Sequence, residues 1–125
     1  MSETVTRGIR ISVETEFLDD ESNEQQYVFS YHITITNEGN EVVQLMSRHW
    51  IITDANNHVE EVKGPGVVGY QPILKPGESF DYTSYCPLKT PIGTMHGTFQ
   101  MTTDKGELFD AHISPFRLNL PHMVH

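Results

Sequence analysis

The sequence predicts an all-β protein: an immunoglobulin/fibronectin III-like antiparallel β-sandwich of about seven strands, one domain spanning residues 1–125. Three observations carry that expectation. Apolar residues recur with a period of two along almost the whole chain. The breaks between these runs are rich in Gly, Pro, Asn and Asp, the residues of turns. No segment shows helical periodicity, and no internal repeat is visible.

Taken in order, Ile9, Ile11, Val13 and Phe17 alternate with Arg10, Ser12, Glu14 and Glu16. Tyr27, Phe29, Tyr31, Ile33 and Ile35 share one face of a second strand, with Ser30, His32, Thr34 and Thr36 on the other. The turn Asn37-Glu38-Gly39-Asn40 leads to a third strand over about 42–53, closed by Asp54-Ala55-Asn56-Asn57. A short fourth strand covers 58–63. After a glycine-rich segment, Lys75-Pro76-Gly77-Glu78 turns the chain into a strand over about 79–86. Trp50 lies on the third strand, where immunoglobulin-like sandwiches place a core tryptophan.

The register of the last hairpin follows from the pattern. Met95, Gly97, Phe99 and Met101 share one face, as do Phe109, Ala111 and Ile113. The sets oppose each other only if paired residue numbers sum to 210, which leaves the three-residue loop Asp104-Lys105-Gly106. Such a loop ends on a left-handed residue, and glycine stands there. A slip of one would turn Phe109 to solvent. The tail from Phe116 to His125 is expected to lie along the sandwich through Phe116, Leu118 and Leu120.

Composition narrows the functional classes. At 125 residues, 37% hydrophobic and 10% aromatic, the chain can bury a core without staples. Its net charge of −9 and its acidic run Asp19, Asp20, Glu21 and Glu24 argue against nucleic acid as a partner. No apolar run approaches the roughly 20 residues of a membrane span, so no membrane association is expected. No signal peptide is visible, and the single cysteine, Cys86, fits a reducing compartment. A cytoplasmic location is expected.

Gly64-Pro65-Gly66-Val67-Val68-Gly69 spells G-x-G-x-x-G. A dinucleotide fingerprint must open a helix, whose N-terminus holds the pyrophosphate. Pro72 and Pro76 follow too closely, since an interior proline costs a helix about 3 kcal/mol or more. The kinase version continues G-x-V, whereas Gln71 stands two after Gly69, and no H-R-D or D-F-G occurs. Three readings stay open. In the first, the glycines simply shape a tight path with the valines in the core. In the second, the loop presents Val67, Val68 and Tyr70 to a protein partner. In the third, the amides of Gly64, Gly66 and Gly69, with Lys63 and Lys75, hold phosphate.

Other chemistry has little support. In the 210 register His96 pairs with Ser114 and His112 with Thr98, so the two histidines share a face diagonally at about 7–8 Å. No third ligand is assigned and no pair has zinc-site spacing, so no metal and no cofactor are expected. His122 and His125 fall in the tail. Cys86 is in phase with Phe80 and Tyr82, which reads as packing rather than nucleophilic chemistry. No catalytic motif is present, and a non-enzyme is expected.

The segments Gln44-Leu-Met-Ser-Arg-His-Trp-Ile-Ile-Thr-Asp54, Gly64-Pro-Gly-Val-Val-Gly-Tyr-Gln-Pro72, Leu74-Lys-Pro-Gly-Glu78 and Thr90-Pro-Ile-Gly-Thr-Met-His-Gly97 resemble the bacterial ApaG family. Phe116-Arg-Leu and the terminal histidine fit too, so the resemblance covers essentially the whole chain. One departure is Ser84-Tyr85, where the family usually reads Ser-Gly. The resemblance implies an immunoglobulin/fibronectin III-like sandwich. It also implies an association with cobalt resistance and magnesium efflux, and with genes for diadenosine tetraphosphate hydrolysis. Related domains in eukaryotic F-box proteins and a polymerase-interacting protein look like interaction modules.

The expectation is therefore a non-catalytic cytoplasmic module that binds a protein partner through Lys63, Gly64, Gly66, Val67, Val68, Gly69, Tyr70 and Lys75. The alternative is a small-molecule module for a polyphosphate or dinucleotide, such as diadenosine tetraphosphate, with or without a divalent cation. Free edge strands would also allow a homodimer.

Overall fold

The computed structural model describes residues 2–122. Nine strands follow one another: β1 (Ser2–Thr6), β2 (Ile9–Phe17), β3 (Tyr27–Asn37), β4 (Val43–Asp54), β5 (Val59–Pro65), β6 (Ile73–Leu74), β7 (Ser79–Leu88), β8 (Ile92–Thr103) and β9 (Leu108–Asn119). Two of these exceed the sequence expectation, β1 and the two-residue β6. The acidic run holds one turn of 3-10 helix, Asp19–Glu21, with no buried residue.

The strands form two antiparallel sheets, ordered β1-β2-β3-β7 and β5-β4-β8-β9, with β6 also pairing β4. Their inward faces meet in one core, which includes Ile11, Ile33 and Ile35 from the first sheet and Leu45, Trp50 and Phe99 from the second. The alternation read from the sequence is the alternation of burial along β3 and β8. Trp50 is 2% exposed and lies edge-on to Tyr31, Phe99 and Phe116 at centroid distances of 5.4, 6.1 and 5.9 Å. Tryptophan therefore acts here as a core residue.

The final hairpin adopts the 210 register: Met101 faces Phe109, Phe99 faces Ala111 and Gly97 faces Ile113. Gly106 closes the loop at φ 82°. The register then shifts, because Met95 faces Phe116. One residue, His96, stands against two, Ser114 and Pro115. Pro115 has no N–H to give the ladder, so a bulge is tolerated there. The bulge corrects two expectations. Phe116 and Leu118 do pack onto the sandwich, with Leu120 beside them, but as the end of β9 turned inward by the phase change and not as a separate tail. His96 has no ladder partner of its own, so the expected pairing of His96 with Ser114 alone is not made. The tail expectation for 123–125, including His125, lies outside the described residues.

A second bulge falls between Leu45 and Ser47 on β4. It lets Val43 and Leu45 on one side, and Trp50 on the other, all face the core despite their opposite parity. Met46 is the extra residue.

The two lateral seams of the sandwich differ. At one, β1 lies beside β9 and hydroxyls bridge them: the His112 amide donates to Thr6 Oγ1 at 3.1 Å, and the Ser114 amide to Thr4 Oγ1 at 3.0 Å. At the other seam, among the described residues, β5 pairs only with β4, and β7 only with β3.

Candidate functional site

The glycine segment is a loop moored to the bulge of β4. The Met46 carbonyl accepts from the Gly66 amide at 2.9 Å and from Gln71 Nε2 at 2.9 Å. Arg48 Nη1 donates to the carbonyls of Pro65 and Gly66, both at 3.0 Å. Its guanidinium lies over the face of Gly64, where an added Cβ would meet it at 3.0–3.1 Å. Gln44 Nε2 donates to the Gln71 carbonyl at 3.1 Å.

Between these moorings the chain makes a two-residue hairpin. Val67 and Tyr70 exchange both backbone bonds at 2.8 Å, with Val68 and Gly69 at the apex. Both apex residues have positive φ, 43° and 87°, as the type I′ turn demands. Glycine suits that conformation. Valine does not, because its β-branch crowds the backbone there. Gly66 is equally constrained, since φ is +61° and a Cβ would stand 2.3 Å from the Tyr70 oxygen.

The two valines part company. Val67 is fully buried, at 0% exposure, whereas Val68 and Tyr70 are 51% and 61% exposed. The expectation that Val67 faces a partner is thus corrected: in the two-residue turn its side chain points under the loop and closes the core. Val67→Asp would bury a carboxylate and should destabilise the fold itself. Tyr70 rests on Phe80 of β7 at 5.9 Å, linking the loop to the opposite sheet.

As a phosphate cradle the loop has few free donors. Pro65 has no N–H, and the amides of Gly66, Val67 and Tyr70 are bonded to carbonyls of the chain. Lys63 on β5 and Lys75 after β6 are both exposed. The Lys75 amide is held by Glu78 Oε1 at 2.8 Å.

The other candidates are scattered. Among the described residues no three His, Cys, Asp or Glu side chains are grouped to hold a metal. Cys86 is buried on β7, and burial, reinforced by Glu60, pushes its thiol up to about 12. Tyr85 is 62% exposed. Among the described residues no helix is long and apolar enough to cross a membrane.

The sequence reading missed Arg48 and Met46, which hold the loop. Arg48 carried a signal: it stands two residues before Trp50, in phase with the core face of β4.

Comparison with known proteins agrees with this architecture. The ApaG domain model matches residues 18–103. The chain is 52% identical over 125 residues to Protein ApaG of Methylobacterium sp. (strain 4-46), covering 98% of this chain and 96% of that one. It is 52% identical over 124 residues to Protein ApaG of Parvibaculum lavamentivorans, covering 98% and 95%. A crystal structure of an ApaA protein from Bordetella pertussis superposes with a TM-score of 0.90 at 49% identity, covering 92% of this chain and 95% of that chain. With its sandwich, its glycine loop and these relatives in agreement, the chain belongs to the ApaG family.

Proposed function

We propose that the protein is a non-catalytic cytoplasmic interaction module whose glycine loop docks a protein partner, with Val68 and Tyr70 as the contact residues. One observation carries this reading: a β-branched, apolar residue occupies the left-handed apex of the turn and is half exposed. Local stability favours Asn or Gly at that place, by roughly 1 kcal/mol or more. Strain combined with exposed apolar surface supports recognition rather than folding. The moorings from Met46 and Arg48 hold the loop rigid, which lowers the entropy cost of docking.

The test is site-specific photocrosslinking in the host cell. A benzophenone amino acid replaces Tyr70 and, as a control, the equally exposed Leu108 on β9. A discrete adduct from position 70, absent from position 108 and lost in Val68→Asp, is the expected result. Equal labelling at both positions, or an adduct indifferent to Val68→Asp in a folded protein, removes the loop from the account.

A further inference from the structure

The open seam between β5 and β7 leads into a cavity of about 240 Å³, lined among others by Arg48, Trp50, Ile52, Glu60, Val62 and Pro87. Trp50 is nine-tenths and more buried, yet its indole N–H finds no acceptor among the described residues. A buried donor without a partner is costly, and native interiors seldom leave one. Arg48 spends Nη1 on the loop carbonyls, and its other guanidinium donors have no partner among the described residues. Arg48 and Trp50 stand two apart on β4, so both belong to the inward face. The indole nitrogen itself has less than 1 Å² of accessible surface, so the cavity meets the ring and not its N–H; the donors the cavity offers are those of Arg48, set among apolar walls.

Glu60, on the outer strand β5, contributes the opposite charge to the lining. It also raises the Cys86 thiol through space, so its field reaches the interior. A purely anionic ligand would meet repulsion there. A zwitterion would not: its carboxylate suits Arg48, and its ammonium suits Glu60. At about 30 Å³ per water, the space equals roughly eight waters, the scale of a small aliphatic amino acid.

We propose that this cavity binds a free aliphatic α-amino acid, with Arg48 holding the carboxylate, Glu60 the ammonium, and Ile52, Val62, Pro87 and the Trp50 ring enclosing the side chain. The site is separate from the glycine loop's exposed apex, and its test leaves the docking reading untouched.

Trp50 is the chain's single tryptophan, so its emission reports the site directly. The probes are L-leucine, 4-methylpentanoate, which lacks the ammonium, and isoamylamine, which lacks the carboxylate. Each is titrated to about 10 mM, a range that covers millimolar affinities. Leucine should give a saturable emission change, 4-methylpentanoate should bind about tenfold more weakly, and isoamylamine should give none. Glu60→Gln should erase the advantage of leucine over 4-methylpentanoate. Val62→Phe, which narrows the mouth from an exposed edge position, should abolish the response. No saturable change with leucine overturns the proposal, as does an equal response to isoamylamine. A Glu60→Gln protein that still prefers leucine overturns the role of Glu60.

Discussion

At the scale of single residues, Cys86 gives the protein an alkaline limit. Its thiol titrates near 9.0 when unhindered and is pushed up to about 12 by burial. A raised folded value means that the native state holds the proton more tightly than the unfolded chain. The stability this represents is complete below about pH 9 and is lost as pH climbs from there toward the folded value. One proton contributes a slope of up to about 1.4 kcal/mol per pH unit. Burial raises the phenols of Tyr31 and Tyr82 as well, and these steepen the loss above their ordinary value of 10.0. Urea midpoints measured between about pH 8 and 10 should fall in the native sequence and stay nearly level in Cys86→Val. A fall of the same steepness in both proteins would mean that the thiol is not the group responsible.

Elements show what a period-two reading can and cannot reach. Strands with one steady phase, such as β2 and β3, are legible because burial simply copies the alternation. Bulges are not, because one inserted residue reverses the phase and leaves two apparently conflicting patterns. On β9 the conflict between Ile113 and Phe116 reads as a strand followed by a tail, although Pro115 marked the place. The glycine loop was legible as a tight path and as something other than a nucleotide fold. Which valine it buries was not, since that depends on a turn type set by the bonds between Val67 and Tyr70. Those bonds also rank the glycines. Gly66→Ala places a Cβ against the Tyr70 carbonyl at positive φ and should cost more than about 3 kcal/mol. Gly69→Ala meets nothing within 4 Å and should cost only the left-handed penalty of about 1–2 kcal/mol. Thermal unfolding of the two variants should separate them clearly; near-equal losses would mean that the hairpin rearranges rather than clashes.

Across the whole molecule, the two seams divide the sandwich into a fastened side and a loose one. β5 and β9 are the two outer strands of the same sheet, so simple edge position predicts equal protection. Their surroundings differ. The amides of His112 and Ser114 leave the edge of β9 but are caught by the hydroxyls of Thr6 and Thr4. Every residue of β5 except Gly64 is exposed, and among the described residues no strand lies hydrogen-bonded to its outer edge. Opening on the β5 side therefore breaks one ladder, whereas opening on the β9 side breaks a ladder and the hydroxyl bridges. Native-state hydrogen exchange should find the His112 and Ser114 amides slower than the outward amides of β5 by about fivefold or more, the equivalent of about 1 kcal/mol. Thr4→Val should release Ser114 while leaving β5 as it was. If β5 proved as protected as β9, the loose seam would not be an easy way in, and the cavity behind it would need another entrance. If β5 opens first, the route to Trp50 runs through the least stable strand of the fold, where a small ligand can enter without disturbing the rest.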